Sequence, residues 1–130
     1  MARVFLYKGR SIEDLQKLSI AEFSKLVKAR PRRAIKRMAP DYKDLIKKVE
    51  KIKASGAAKA VRTHTREAVI IPQWVGMRFA VFNGKEYKEF NVVPEMLGHR
   101  LGEYSFTTKA VVHSAPGIRA TRGSKFLAVK

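Results

Sequence analysis

The stretch that decides the fold is MRFAVFNGKEYKEFNVV, residues 77–93, in which two runs rich in aromatic and β-branched side chains flank Asn83-Gly84. Such runs favour β-strands, and Asn-Gly between them is a strong signal for a tight turn. The stretch therefore predicts a β-hairpin, whose turn contains either two residues or three residues with a glycine bulge; the register stays open. We expect its aromatic and aliphatic residues in the core rather than on an exposed RNA-binding platform: Phe79, Val81, Phe82, Tyr87 and Phe90.

The segments that flank the hairpin predict one more strand and one helical turn. Upstream, AVIIP at residues 68–72 is a short apolar run closed by a proline, which is typical of a buried strand. Trp74 follows, and we expect it to pack in the core more readily than to stack on a base. Downstream, Pro94 and Gly98 bracket a single helical turn, because proline suits the first helical position and glycine the position just past the end.

The N-terminal part predicts helices from their capping residues. Ser11 is placed to cap a first helix, and Ser19 with Glu22 forms an S-x-x-E capping box that begins a second helix. We expect Pro31 to end that helix. A third helix is predicted from near Asp41 to a stop at Gly56, with an apolar side and a lysine-rich side.

Charge limits the possible functions more than any other total. The 130 residues carry 28 Lys and Arg against 11 Asp and Glu, a net charge of +17. A basic chain of this size predicts one domain with a polyanionic partner, most often nucleic acid. Cysteine is absent, no apolar run approaches the length of a membrane span, and the first residues do not resemble a signal peptide. We therefore expect a soluble, cytoplasmic protein with no membrane partner.

Two stretches supply the candidate nucleic-acid contacts. RPRRAIKR, residues 30–37, is the densest cationic stretch and is expected between two helices, and VRTHTRE, residues 61–67, mixes arginines with hydroxyl and imidazole groups that bind phosphate or a ribose 2′-hydroxyl. For Thr63 and His64, a purely structural role in a polar segment before a strand stays open. The predicted contacts from these stretches are Arg30, Arg32, Arg33, Lys36, Arg37, Arg62, Thr63, His64 and Arg66.

Catalysis finds little support in the sequence. His99 and Glu103 are four residues apart, but the glycines beside them disfavour a sustained helix, and His64, His99 and His113 form no metal-ligand spacing. No phosphate-binding glycine loop is present, and the acids are too few for two-metal chemistry. We predict no enzyme, no metal site and no cofactor. A DNA-architectural protein and an RNA-processing enzyme remain alternatives, and competition between duplex DNA and RNA, or a search for turnover, separates them from an RNA-binding protein.

The middle of the chain resembles a known family. NGKEYKEFNVVPEMLGHRLGEYSFT, residues 83–107, closely resembles the signature of the universal small-subunit ribosomal protein family nineteen, and the flanking segments resemble its archaeal and eukaryotic branch. The matched signature positions are Asn83, Gly84, Lys85, Val92, Leu97, Gly98, Leu101, Gly102, Glu103, Tyr104 and Thr107.

The resemblance implies an α+β fold: N-terminal helices, then a small three-stranded mixed sheet that contains the hairpin, then an extended basic C-terminal tail. It implies a basic helical extension at residues 1–40, an RNA-binding body at 41–108 and a tail at 109–130. The implied function is a non-catalytic structural protein of the small ribosomal subunit that binds rRNA of the head, in the 3′ domain near the decoding region, and supports assembly and translation. The implied neighbours are the family-thirteen small-subunit protein and, through the tail, tRNA.

The resemblance also bears on the glycine-rich segment and the tail. We expect residues 96–103 to form a tight, glycine-shaped platform, with Leu97 and Leu101 as anchors, His99 and Arg100 facing phosphates, and Glu103 holding an arginine or a backbone N–H. Fully extended, residues 109–130 span at most roughly 70 Å. The remaining predicted RNA contacts are Lys85, Lys109, Arg119, Arg122 and Lys125. Which rRNA nucleotides these residues touch, and how they rank, does not follow from the sequence.

Overall fold

The computed structural model describes residues 5–56 and 59–111. Four helices come first: α1 (Ile12–Lys17), α2 (Ile20–Leu26), α3 (Ala29–Arg37) and α4 (Pro40–Ala54). Three strands follow: β1 (Val61–Thr63), β2 (Arg78–Phe82) and β3 (Tyr87–Asn91). Short 3-10 helices occupy Pro72–Trp74, Pro94–Met96 and Leu101–Tyr104. The predicted α+β class is confirmed, whereas the basic tail beyond residue 111 lies outside the described residues.

The caps of the first two helices form as the sequence predicts. The Ser11 side chain accepts a hydrogen bond from the Asp14 N–H at the start of α1. At α2, the Ser19 hydroxyl accepts from the Glu22 N–H at 3.3 Å, and the Glu22 carboxylate accepts from the Ser19 N–H at 2.9 Å. These backbone N–H groups have no partner within their helices, so the side chains fix where each helix begins.

The expectation that Pro31 ends a helix is wrong. The second helix already ends at Leu26, and Pro31 lies within the first turn of α3, so the cationic stretch is itself a helix. The first four N–H groups of a helix have no intrahelical acceptor, so proline there costs no hydrogen bond. The next helix begins near the predicted residue and ends just before Gly56, whose φ of +62° suits a glycine at a helix end.

The sheet is mixed and has the order β1-β2-β3. The first strand runs parallel to β2, with Val61 opposite Phe79, and β3 runs antiparallel to β2, with Phe82 opposite Tyr87 at the turn. The hairpin therefore has a four-residue connection, longer than either predicted turn. The Asn83 side chain explains the length, because its Oδ1 accepts from the N–H groups of residues 85 and 86, each at 2.9 Å.

The predicted strand at residues 68–72 is not part of this sheet, whose third strand is β1. The segment is buried and extended, but its backbone pairs with the glycine-rich segment instead, through Ile70 N–H to His99 C=O (2.8 Å) and Leu101 N–H to Ala68 C=O (3.0 Å). Only Val69 and Arg100 form a bridge. This pairing places the glycine-rich segment beside the sheet.

The core lies between α4, the apolar face of the sheet and the buried segment before β2. Trp74 is buried, as predicted; its ring meets Tyr42 edge-on at 6.1 Å and lies 5.1 Å from Phe79. The Tyr42 hydroxyl donates to the Val69 carbonyl at 3.1 Å, and burial raises the pKa of Tyr42. These contacts hold the N-terminal end of α4 against the sheet.

Candidate nucleic-acid interface

A row of exposed arginines lies on one face of α3. Ile35 is the buried residue of this helix, and at 100° per residue Arg30, Arg33 and Arg37 lie on the side directly opposite it. All three are exposed. We call them the α3 arginine stripe. With a rise of 1.5 Å per residue the stripe is about 10 Å long, enough to contact more than one phosphate.

Two other arginines of the predicted set are committed to backbone carbonyls. The guanidinium of Arg32 donates to the carbonyls of Ser24, Lys25 and Val27, each at 3.1 Å, and so satisfies the C-terminal end of α2. These hydrogen bonds orient the Arg32 guanidinium toward α2, so its observed role is to cap the end of that helix. An RNA contact by Arg32 stays a prediction.

Arg66 joins three parts of the chain. Its guanidinium donates to the carbonyls of Phe82 at 2.8 Å, Gly102 at 3.0 Å and Ser105 at 2.6 Å, which ties the end of β2 to the last 3-10 helix. The backbone approaches closely here, because a Cβ on Gly102 would lie 3.0 Å from the Cβ of Arg66. The structure therefore gives Arg66 an architectural role, and its predicted RNA contact remains untested.

The outer face of the sheet carries an aromatic group that the sequence did not predict. Phe82 and Tyr87 were expected in the core, but Tyr87 is exposed and Phe82 is only half-buried, because in this register both project away from the core face that holds Phe79 and Val81. His64 lies beside them, with its ring centroid 4.6 Å from that of Phe82 and its Nε2 2.7 Å from the Tyr87 hydroxyl.

Arg62 completes this group. Its guanidinium lies over the Tyr87 ring, 5.6 Å from the centroid. We call Arg62, His64, Phe82 and Tyr87 the outer-face cluster. Thr63, by contrast, is buried, and its hydroxyl accepts from the Thr65 N–H at 3.0 Å, which gives it a structural role, while its predicted RNA contact stays a prediction.

A groove of about 440 Å³ adjoins the outer-face cluster and runs along the N-terminal half of α4. Lys48 stabilises its wall, since the ammonium donates to the Arg62 carbonyl at 2.6 Å. The groove thus combines carboxylates, cations and hydroxyls within one depression. Its polar lining consists of Asp41, Asp44, Lys48, Arg62, Thr63, His64 and Thr65.

The glycine-rich segment forms the predicted platform. Gly98 has a φ of +78°, and Leu97 and Leu101 are buried anchors. The Glu103 carboxylate accepts from the Arg100 N–H at 3.1 Å, which confirms the predicted backbone contact, and its second oxygen lies 2.7 Å from His99 Nδ1.

Arg100 also forms an ion pair with the exposed carboxylate of Glu67. Burial, and next the nearby Glu103 charge, raise the pKa of Tyr104. Contacts of His99 and Arg100 with phosphate stay predictions.

The remaining predicted contacts are scattered. Lys85 lies in the hairpin turn, and the Lys109 ammonium lies 3.5 Å from the Glu86 carboxylate. Arg119, Arg122 and Lys125 lie outside the described residues. Within residues 5–56 and 59–111, the predicted contacts thus include the α3 arginine stripe on one helix and Arg62 with His64 in the outer-face cluster, and the others lie elsewhere.

Within residues 5–56 and 59–111, no three His, Asp or Glu side chains lie close enough together to hold a metal ion. None of the helices in the same ranges combines the length and apolar character needed to cross a membrane.

Comparison with known proteins gives consistent matches. Residues 32–113 match the family model described as ribosomal protein S19. The chain is 49% identical over 128 residues to "Small ribosomal subunit protein uS19" of Saccharolobus solfataricus, covering 97% of this chain and 91% of that protein. It is 47% identical over 128 residues to the protein of the same name from Metallosphaera sedula, with the same coverage of both chains.

Proposed function

Because the chain belongs to the ribosomal protein S19 family, we propose that it binds rRNA of the small-subunit head, in the 3′ domain near the decoding region, chiefly through the α3 arginine stripe. Family membership makes it a structural, non-enzymatic component of the small ribosomal subunit that binds rRNA and takes part in translation. The proposal adds the region of the rRNA that the protein binds and the residues that bind it.

The observation that carries the proposal is the arrangement of α3. Its three stripe arginines are exposed on one face, and the first turn of the helix contains no acidic residue. Guanidinium groups bind phosphate oxygens in pairs, so a rigid row of them favours a phosphate backbone over a single anion. The remainder of the +17 charge strengthens the attraction without fixing its place.

The mechanism is electrostatic. Each cation that meets a phosphate releases counterions, so the logarithm of affinity falls linearly with the logarithm of salt concentration. For about 8 neutralised phosphates the slope is roughly −6 to −7. The folded body fixes the direction of the stripe, because Arg32 and Ile35 hold the other sides of α3 against the rest of the protein.

The test is a salt titration of binding to a transcript of the small-subunit rRNA 3′ domain. Replacing Arg30, Arg33 and Arg37 with Gln should make the slope shallower by roughly 2 to 3. A matched variant with Lys43, Lys47 and Lys51 changed to Gln removes the same charge from exposed positions of α4.

We expect the matched α4 variant to keep most of the slope. Equal losses in the two variants would show diffuse attraction and reject the stripe as a site. A slope shallower than about −2 for the unchanged protein would reject electrostatic rRNA binding itself.

We also propose that the protein works on the cytoplasmic ribosome, with the following roles for its segments and the following neighbours. We assign residues 1–40 to a basic extension, 41–108 to the RNA-binding body and 109–130 to a tail that reaches tRNA near the decoding site, with Lys109, Arg119, Arg122 and Lys125 as its RNA contacts. The family-thirteen small-subunit protein is the proposed head neighbour. Family resemblance supports these assignments.

Deleting residues 114–130 should impair decoding or assembly while the body still folds. Loss of folding on this deletion would place the tail in the core instead. Chemical crosslinking in purified small subunits tests the proposed neighbour, and its absence among the crosslinked proteins would count against it.

A further inference from the structure

The outer-face cluster lies at the surface of the sheet, outside the buried core. The buried core contains Trp74, Phe79 and Phe23, whereas Tyr87 keeps 37% of its surface exposed. Three rings adjoin one another here, the exposed rings of His64 and Tyr87 and the half-buried ring of Phe82. The pairwise ring-centroid distances are 4.6 Å for His64–Phe82, 5.4 Å for His64–Tyr87 and 5.2 Å for Phe82–Tyr87.

We propose that the outer-face cluster and the adjoining groove bind a single unstacked nucleobase of the bound RNA. The inference rests on the proposed function and deepens it, because it assigns one kind of contact, to a base, where the arginine stripe serves the phosphates. An unpaired base stacks on an aromatic or guanidinium plane whatever its sequence, and this is the usual way that proteins hold bases displaced from RNA helices.

The geometry provides two surfaces for such a base. The Tyr87 ring and the His64 imidazole are oriented relative to each other by their 2.7 Å hydrogen bond, so neither must be ordered at the moment of binding. The Arg62 guanidinium, 5.6 Å from the centre of the Tyr87 ring, is placed to stack on the base or to contact its phosphate.

The groove favours a base over a phosphate at its far side. Asp41 and Asp44 line it, and carboxylates repel a phosphate but accept hydrogen bonds from the amino and imino groups of a base edge or from a ribose hydroxyl. Lys48 is held to the Arg62 carbonyl, which keeps its charge beside the cluster. The groove volume of about 440 Å³ falls in the range of pockets that hold small ligands.

An RNA base suits this site better than a protein segment. The outer-face cluster contributes an arginine of its own, and the chain carries 28 basic residues, so a cationic peptide that sought the two aspartates would meet repulsion on all sides. An RNA strand is attracted by the surrounding basic side chains. Its uncharged base edge, rather than a phosphate, can then contact the two aspartates.

The experiment compares two short RNA duplexes that differ only in the presence of one bulged nucleobase. The first carries a single bulged 2-aminopurine, and the second carries an abasic residue at the same place, so the phosphates are identical. At fixed salt we expect the protein to prefer the first by about 5- to 150-fold, the equivalent of roughly 1–3 kcal/mol for one stacked base. The double substitution His64→Ala with Tyr87→Ala should bring this ratio close to one, because it should weaken binding of the 2-aminopurine duplex more than binding of the abasic duplex.

The conservative Tyr87→Phe protein is the matched control, since it keeps the ring and loses only the hydrogen bond to His64. It should retain most of the preference. A ratio near one in the unchanged protein, together with tight and salt-dependent binding of the abasic duplex, would overturn the base site and leave rRNA binding intact. Failure to bind either duplex or an rRNA transcript would instead overturn the proposed function.

A second measurement uses the protein in the ribosome. Ultraviolet crosslinking of purified small subunits should attach a nucleotide to the peptide that contains Tyr87. A chemical crosslink that joins this peptide to another protein, without an RNA adduct, would show that a protein covers the outer face and would overturn the proposal. A preference for the 2-aminopurine duplex that survives the double substitution would also overturn it, because the base would then stack elsewhere.

Discussion

Replacing Arg66 with alanine should destabilise the folded body more than loss of any stripe arginine. The guanidinium donates three hydrogen bonds, of 2.6 to 3.0 Å, to the carbonyls of Phe82, Gly102 and Ser105. A hydrogen bond from a charged donor contributes about 1.5–3 kcal/mol, but the side chain is only half-buried and water replaces part of the loss, so we expect about 2–4 kcal/mol in total. For a chain of this size, about 3 kcal/mol lowers Tm by roughly 10 °C.

The assay is urea or thermal unfolding at physiological salt, followed by circular dichroism. Arg66→Lys should lose about half as much, because an ammonium donates from a single point and cannot span carbonyls on three segments. Arg33→Ala removes the same charge from an exposed helix position and should change stability by no more than about 0.5 kcal/mol. A loss below about 0.5 kcal/mol for Arg66→Ala, or an equal loss for Arg33→Ala, would refute the reasoning.

Three smaller predictions test the body by the same unfolding assay. Tyr42→Phe should cost about 1–2 kcal/mol, since the buried Val69 carbonyl loses its 3.1 Å partner; no loss would mean that water replaces the hydroxyl. Gly98→Ala should cost about 1–2 kcal/mol, because φ is +78° and a Cβ would lie 2.9 Å from the Tyr7 hydroxyl; unchanged stability would show that the segment relaxes. The backbone N–H of the α2 N-cap serine lowers the pKa of Glu22, so this carboxylate stabilises the fold above its ordinary pKa of 4.5, and the contribution is lost as pH falls through the lowered value. The unchanged protein should therefore lose more stability on acidification than Glu22→Gln, and parallel pH curves would contradict the capping box.

Local signals predicted most of the architecture. The capping residues at Ser11 and Ser19 fixed the starts of two helices, and Asn83-Gly84 fixed the hairpin, because each of these signals depends on residues a few positions apart. The predicted role of Leu97 and Leu101 as anchors is confirmed as well.

The errors arose where tertiary contacts decide. The segment at residues 68–72 has the composition of a strand, but its backbone partners are supplied by a segment about 30 residues away, which local patterns do not reveal. The outward projection of Tyr87 depends on the register of β3, and one residue of register reverses every side chain of a strand. The sequence did contain one signal for Phe82. Side chains alternate between the two faces of a strand, so a buried Phe79 places Phe82 on the outer face.

The roles of individual arginines could not be predicted from the sequence either. Arg32 and Arg33 are neighbours in the same basic stretch, yet one donates to three carbonyls of α2 and the other lies on the α3 arginine stripe. The packing of Ile35, together with Ala34 and Met38, against the core sets the rotation of the helix and hence separates the two. Clustering of charge therefore selected the basic stretch at residues 30–37 as a candidate interface without ranking its members.

The central claim is that the α3 arginine stripe fixes the protein on small-subunit rRNA, and sedimentation tests it most directly. In a density gradient of cell extract, the unchanged protein should travel with small subunits and be released by ribonuclease, whereas the variant with Gln at residues 30, 33 and 37 should shift toward the free fractions. Incorporation of that variant equal to the unchanged protein, or an unchanged protein that stays with the particle after the RNA is digested, would contradict the account.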